Sequence, residues 1–301
     1  MRDKVRGGVT LAELLPDAQR GGYAVPAFSA RYLACVRPVV EAAVAERSPF
    51  VVEISQRELA WFDLTPEAFR DEVERVVTDL RVDLPFGLHL DHTWTAELIT
   101  AAMDAGFTSV MIDASAEPLE ENIARTRDVA REAHRRGVSV EAELGRLTTT
   151  DRMETEGGPE SYTDPDEAGR FVAESGCDAL AVSVGTAHGV YPAAGPTIDF
   201  DRLAAIRAAV AATPIVLHGG SGLPADLVAR AVGMPGGGIS KMNIATDLEQ
   251  ALLAGMGGLE RMTSAELDAI DADLRARGLA AVRDVAVDKI HLLHAAGRAR
   301  R

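Results

Sequence analysis

Eight short apolar runs, at residues 22–28, 50–54, 86–90, 109–112, 138–143, 179–184, 215–217 and 239–243, alternate with alanine-rich segments of helical period along the chain. Continuous apolar runs of this length, rich in β-branched residues, read as strands covered on both faces. Alternation of such strands with helices dictates a parallel sheet, because parallel neighbours need a long crossover between them. Eight units within roughly 250 residues is the number that closes into a (β/α)8 TIM barrel. Helix starts agree: Thr65-Pro66-Glu67 and Asp164-Pro165-Asp166-Glu167 each place a capping oxygen before a proline at the first helical position.

The alternative for the same alternation is a doubly wound open sheet, and the polar residues argue for the barrel. Ser29, Ser55 and Gln56, Asp91 and His92, Asp113 and Ser115, Glu141 and Glu143, Gly185 to His188, His218 to Ser221, and Asn243 fall at or near the ends of successive runs. A barrel gathers all of them at one mouth, where barrel enzymes keep their active sites, whereas an open sheet strings them along an edge. The chain has 301 residues and 47% hydrophobic content, enough for one large core, so a single domain over residues 1–301 is expected, with a helical C-terminal extension from about residue 247. A formal net charge of −15 opposes general binding to nucleic acid or an anionic membrane. Cys35 and Cys177 lack metal or redox spacing and read as buried hydrophobes. The N-terminal residues lack a secretory apolar segment and no stretch is long and apolar enough to span a bilayer, so the expected location is cytoplasmic.

A lone buried histidine is more often a core or capping residue than a ligand, but His92, His188 and His218 each sit just past a different strand, where three imidazoles can converge on one divalent metal. Three neutral imidazoles with an open fourth position suit zinc, and the open position implies catalysis. Asp91 stands beside the first ligand. Glu141 and Glu143, two apart on strand five, face one side and are candidates for orienting the ligands, for an alternate metal position, or for pairing with a basic neighbour. His134, His291 and His294 lie in charged helical segments and read as solvated, while His89 shares the face of Asp91 and reads as interior. The glycine clusters at 185–189 and 218–222 follow strands six and seven, and the second runs into a helix start at Leu223-Pro224-Ala225-Asp226. Small residues let backbone N–H groups close on an anion, so these loops, with Asn243 to Thr246 after strand eight, suit a phosphate.

The segments GYAVPAF (22–28), HLDH (89–92), SVMIDAS (109–115), VSVEAELG (138–145), VGTAHG (184–189), LHGGSG (217–222) and KMNIAT (241–246) resemble, in order, the signatures of the class II, zinc-dependent ketose-bisphosphate aldolases, closest to the tagatose- and fructose-bisphosphate branch. The resemblance runs from about residue 21 to the C-terminal helices. It implies a (β/α)8 barrel with one zinc per subunit on His92, His188 and His218, and Asp91 as acid/base. It implies that the phosphate of dihydroxyacetone phosphate rests on Gly189, Gly219, Gly220, Ser221, Asn243, Ile244, Ala245 and Thr246, with a monovalent cation, Na+ or K+, nearby. The implied reaction is reversible cleavage of the C3–C4 bond of a ketose phosphate, in which a metal takes up the enediolate charge and no Schiff-base lysine is needed. The expected partner is a small sugar phosphate, and the expected assembly a homodimer or homotetramer.

One segment departs from the pattern. Where most members carry a glycine pair on a mobile loop, this chain has Thr148 and Thr149, and the loop glutamate that handles the enediolate proton aligns best with Asp151, with Glu154 close by. From the capping-box pattern at Thr263 to Glu266, helical period continues to about Leu293, and Arg283 matches a position that can reach a distal phosphate in a neighbouring subunit. Two other readings remain at this stage: a different metal-dependent sugar-phosphate barrel enzyme, such as an isomerase, and a non-catalytic subunit that stabilises another aldolase chain.

Overall fold

In a computed structural model, described for residues 2–149, 161–191, 195–210 and 212–299, the eight runs form the strands of a closed barrel. They are β1 (Val25–Ser29), β2 (Phe50–Ser55), β3 (Phe86–Thr93), β4 (Ser109–Ile112), β5 (Ser139–Leu144), β6 (Ala179–Val182), β7 (Ile215–Leu217) and β8 (Ile239–Ile244). Each pairs in parallel with its neighbours in sequence, and β8 closes on β1 through Val25↔Lys241 and Ala27↔Asn243. The strands are buried throughout, as continuous apolar runs require. The helices carry the anticipated caps: the Thr65 hydroxyl accepts from Ala68 N, and the Asp164 carboxylate accepts from the N–H groups of Asp166 and Glu167.

The C-terminal segment differs from a single helical stretch. It forms two helices, Ser264–Ala269 and Ala272–Leu292, because Ile270 is extended and Asp271 caps a new helix by accepting from Asp273 N and Leu274 N. The longer one crosses the helix Thr246–Gly255 closely enough that a Cβ on Gly278 would lie 2.8 Å from the Leu252 carbonyl oxygen. Glycine is therefore required at that crossing.

Around β1, β2 and β8 the mouth is tied together by a buried ion cluster. The Arg31 guanidinium, 2% exposed, donates from Nε to Glu58 Oε1 at 2.7 Å and from Nη1 to Glu249 Oε2 at 2.7 Å. Glu58 also closes a capping box with Ser55, and Glu249 accepts from Arg261 Nε. Removing one partner strands buried charge, so Arg31→Leu is expected to destabilise the barrel by about 3–5 kcal/mol. Equilibrium denaturation checks this, and an unchanged midpoint would show that the cluster adds nothing.

Candidate functional site

Successive residues of a strand face opposite sides, so Asp91 and His92 cannot both enter the mouth from a regular β3. The β3–β4 register shifts between Leu90 and Thr93, and His92 takes a positive φ of 27°. The bulge re-aims His92 into the mouth beside Asp91, at a backbone cost of order 1–3 kcal/mol. His218 follows directly on β7, and His188 lies in a short strand, Ala187–His188, that pairs with Thr148–Thr149. The segment after β5 is thus anchored at its start, where the sequence suggests only a mobile loop.

The three histidines meet. Ring centroids are 4.5 Å apart for His92 and His218, 4.9 Å for His92 and His188, and 5.8 Å for His188 and His218. One nitrogen from each lies within 4.8 Å of the others. His92 Nδ1 is 3.0 Å from Asp113 Oδ2, and Asp113 is fixed in turn by the Ser115 hydroxyl and N–H, at 2.7 and 3.1 Å from Oδ1. His92 Nε2 is left buried with no hydrogen-bond partner among the described residues. A buried nitrogen in that state, flanked by two more imidazoles, fits a divalent cation.

Glu141 and Glu143 both grip His218, Glu141 Oε1 at 2.9 Å from Nε2 and Glu143 Oε2 at 3.2 Å from Nδ1. Burial and the charge of His92 oppose protonation of His218, but the two glutamates prevail and push its pKa up to about 9. Acidic residues thus surround the histidine cluster and favour positive charge at its centre. Asp91 is buried at 4% exposure and its Oδ1 accepts from Asn243 Nδ2 at 3.2 Å. Burial would raise its pKa, but His92, Lys241 and His218 hold it below the ordinary carboxylate value, so it is ionised. A cavity of about 130 Å³ opens beside His92 and His188, lined also by Asp113, Glu143, Trp94 and Arg146; Asp91 and His218 do not line it.

Two glycine loops make the convergence possible. Gly219 has φ +68°, and a Cβ there would lie 2.3 Å from the Ala187 carbonyl oxygen. The Tyr191 hydroxyl stitches the same pair of loops, donating to Gly219 O at 2.7 Å and accepting from Ala187 N at 3.2 Å. Gly220 N donates to Asn243 O at 3.1 Å, and Asp247 N donates to the Ser221 hydroxyl at 3.1 Å. Gly219 to Ser221 and Asn243 to Thr246 therefore form one wall, with Thr246 opening the helix Thr246–Gly255.

Not every anticipated residue joins the group. Arg283 is exposed on the last helix and does not line the cavity. Asp151 and Glu154 lie outside the described residues. His134 and His291 are exposed and pair with Asp178 and Glu46, and Cys35 and Cys177 are buried free thiols. Sequence reasoning left Asp113 without a role and passed over Tyr191 and Lys241. Lys241 stands two residues before Asn243 and so shares its face, a signal that strand period alone could have supplied.

Comparison with known proteins adds the lineage. A fructose-bisphosphate aldolase of Geobacillus stearothermophilus is 38% identical over 242 residues, covering 79% of this chain and 81% of that one. The crystal structure of the YdjI aldolase from Escherichia coli K12 superposes with a TM-score of 0.82 at 31% identity, covering 97% of this chain and all of that one. A fructose-bisphosphate aldolase from Campylobacter jejuni, at 23% identity and TM-score 0.76 over 96% of each chain, shares the fold. The model of the family described as fructose-bisphosphate aldolase class-II matches residues 9–298. With its barrel and nearly its whole length accounted for in this way, the chain belongs to the class-II fructose-bisphosphate aldolase family and is an aldolase, a carbon–carbon lyase.

Proposed function

We propose that the chain catalyses zinc-dependent, reversible cleavage of a ketose phosphate to dihydroxyacetone phosphate and an aldehyde. The observation that carries this reading is the meeting of His92, His188 and His218 beside the buried carboxylate of Asp91. These three histidines would hold the zinc, with Asp113 orienting His92 and one of Glu141 and Glu143 orienting His218 while the other yields its ring nitrogen to the ion. Zinc held there supplies Lewis-acid stabilisation of the charge that cleavage leaves on the ketose fragment.

Asp91 removes the proton from the C4 hydroxyl as the C3–C4 bond breaks, and returns it to the aldehyde oxygen in the condensation direction. Its ionised state and the single hydrogen bond from Asn243, which leaves a second carboxylate oxygen for substrate, support that role. Gly189, the wall of Gly219 to Ser221, and Asn243 to Thr246 hold the phosphate, supported by small residues and a helix start at one place. Arg283 would serve a distal phosphate only from a second subunit, so a homodimer or homotetramer belongs to the same reading, as does a monovalent cation near the phosphate. A panel of aldehydes offered with dihydroxyacetone phosphate, with and without chelator, tests the reading, the stereochemistry of the products being determined. Failure to form any carbon–carbon bond would overturn it.

The hydrogen bond from Asp113 to His92 carries its own consequence. Losing a carboxylate that orients a metal-binding imidazole typically costs 10- to 100-fold in metal affinity. Asp113→Ala is therefore expected to bind zinc about 10- to 100-fold more weakly with the barrel intact, as competition with a chromophoric chelator would measure; unchanged affinity would remove Asp113 from the site.

A further inference from the structure

Beneath the histidine cluster the barrel interior contains a lysine that neither metal binding nor phosphate binding employs. Lys241, on β8, is 0% exposed. Here Nζ donates a hydrogen bond to Asn243 Oδ1 at 2.7 Å and ion-pairs with Glu141 Oε2 at 3.0 Å and Glu53 Oε2 at 3.1 Å, neither of which accepts a hydrogen bond among the described residues. Glu53 and Glu141 are themselves 0% exposed.

The contact with Asn243 is directional. A side-chain amide has one accepting end and one donating end of nearly the same shape, so packing alone does not choose between its two orientations. Lys241 chooses. With Oδ1 drawn to the ammonium, Nδ2 must point the opposite way, and there it meets Asp91 Oδ1 at 3.2 Å. Turned over, the amide would place its oxygen against the Asp91 carboxylate, two acceptors face to face, and its N–H groups against the Lys241 ammonium, two donors face to face.

We propose that Lys241 is a positioning residue for Asp91, acting through Asn243: it sets the amide so that its N–H holds one carboxylate oxygen and leaves the other aimed at the substrate hydroxyl. The inference rests on Asp91 being the proton carrier. The competing account is that Lys241 merely neutralises Glu53 and Glu141, in which case its loss would act on folding, or on metal binding through Glu141 and His218, and not through Asn243.

A double-mutant cycle separates the two, using Lys241→Met, Asn243→Ala and the double variant of the full-length zinc-loaded chain. Misplacing a reacting group by about 1 Å costs on the order of 100-fold, so kcat for cleavage should fall about 30- to 100-fold in K241M while KM stays within about threefold. Zinc content and thermal midpoint are read on the same samples. The double variant should be no slower than N243A alone, because the lysine has nothing to orient once the amide is gone. The proposal is overturned if the two losses multiply, if K241M turns over at the parent rate, or if its loss of activity tracks loss of zinc. Should K241M not fold, the cycle is run with Glu53→Gln throughout, where loss of the ammonium leaves one buried carboxylate in place of two, and the same outcomes decide. Failure of the underlying reading looks different: turnover would then survive Asp91→Ala itself.

Discussion

Asp91→Ala is expected to lower the rate of ketose phosphate cleavage by about 10³-fold while leaving a folded protein that binds zinc. General acid–base catalysis contributes on the order of 10²- to 10⁴-fold, and Asp91 is the carboxylate that stands beside the three histidines without being gripped by one of them through a hydrogen bond. Its Cβ leaves β3, whose backbone is held by pairing to β2 through Ser55↔Asp91, so truncation leaves the strand in place. Asp91→Asn sharpens the test: it keeps the shape, still meets the neighbouring amide, and cannot take a proton. Steady-state cleavage and metal analysis on the same preparations give the answer. Full activity in either variant would remove Asp91 from the chemistry.

Stripping zinc is expected to have an effect at least as large, with cleavage falling more than about 10³-fold and returning on addition of the ion. Charge stabilisation by a Lewis acid is worth several kcal/mol, and among the described residues the only positively charged side chain lining the cavity besides histidine is Arg146. The barrel should survive the treatment, because its core lies among the strands and surrounding helices and the histidines sit at the mouth. Far-ultraviolet circular dichroism should therefore stay constant while the thermal midpoint drops, since an ion that binds only the folded chain stabilises it by about 2.7 kcal/mol at one hundred times its Kd. Undiminished cleavage by protein shown to be metal-free would end the zinc reading.

Much of this was legible in one dimension. Apolar runs buried on both faces define strands whatever surrounds them, and Thr65, Asp164 and Thr263 mark helix starts because their side-chain oxygens satisfy N–H groups only a few residues away. His188 and His218 could be placed at the mouth for the same reason: each follows a strand that the pattern already defines. His92 reads the same way, just past the run 86–90, but the strand continues to Thr93, and strict alternation along it would send His92 outward beside Asp91. The bulge that turns it inward depends on how β3 registers against β4, which no local rule supplies. The break at Ile270 and Asp271 was missed because helical period continues across it, and the pairing of Thr149 with His188 because both stretches look like loop.

The order of the strands and the residues that end each of them were settled by the sequence, because burial on both faces and capping act over a few residues and leave a periodic trace. Which side chains touch was decided by closure of the barrel. Glu53, His89, Glu141 and Lys241 come from four strands and are buried together, and Asp91 meets Asn243 across 152 positions of chain. Charges that would be solvated and independent in an extended chain become a single interacting set once water is excluded from between them, and that exclusion belongs to the folded barrel alone.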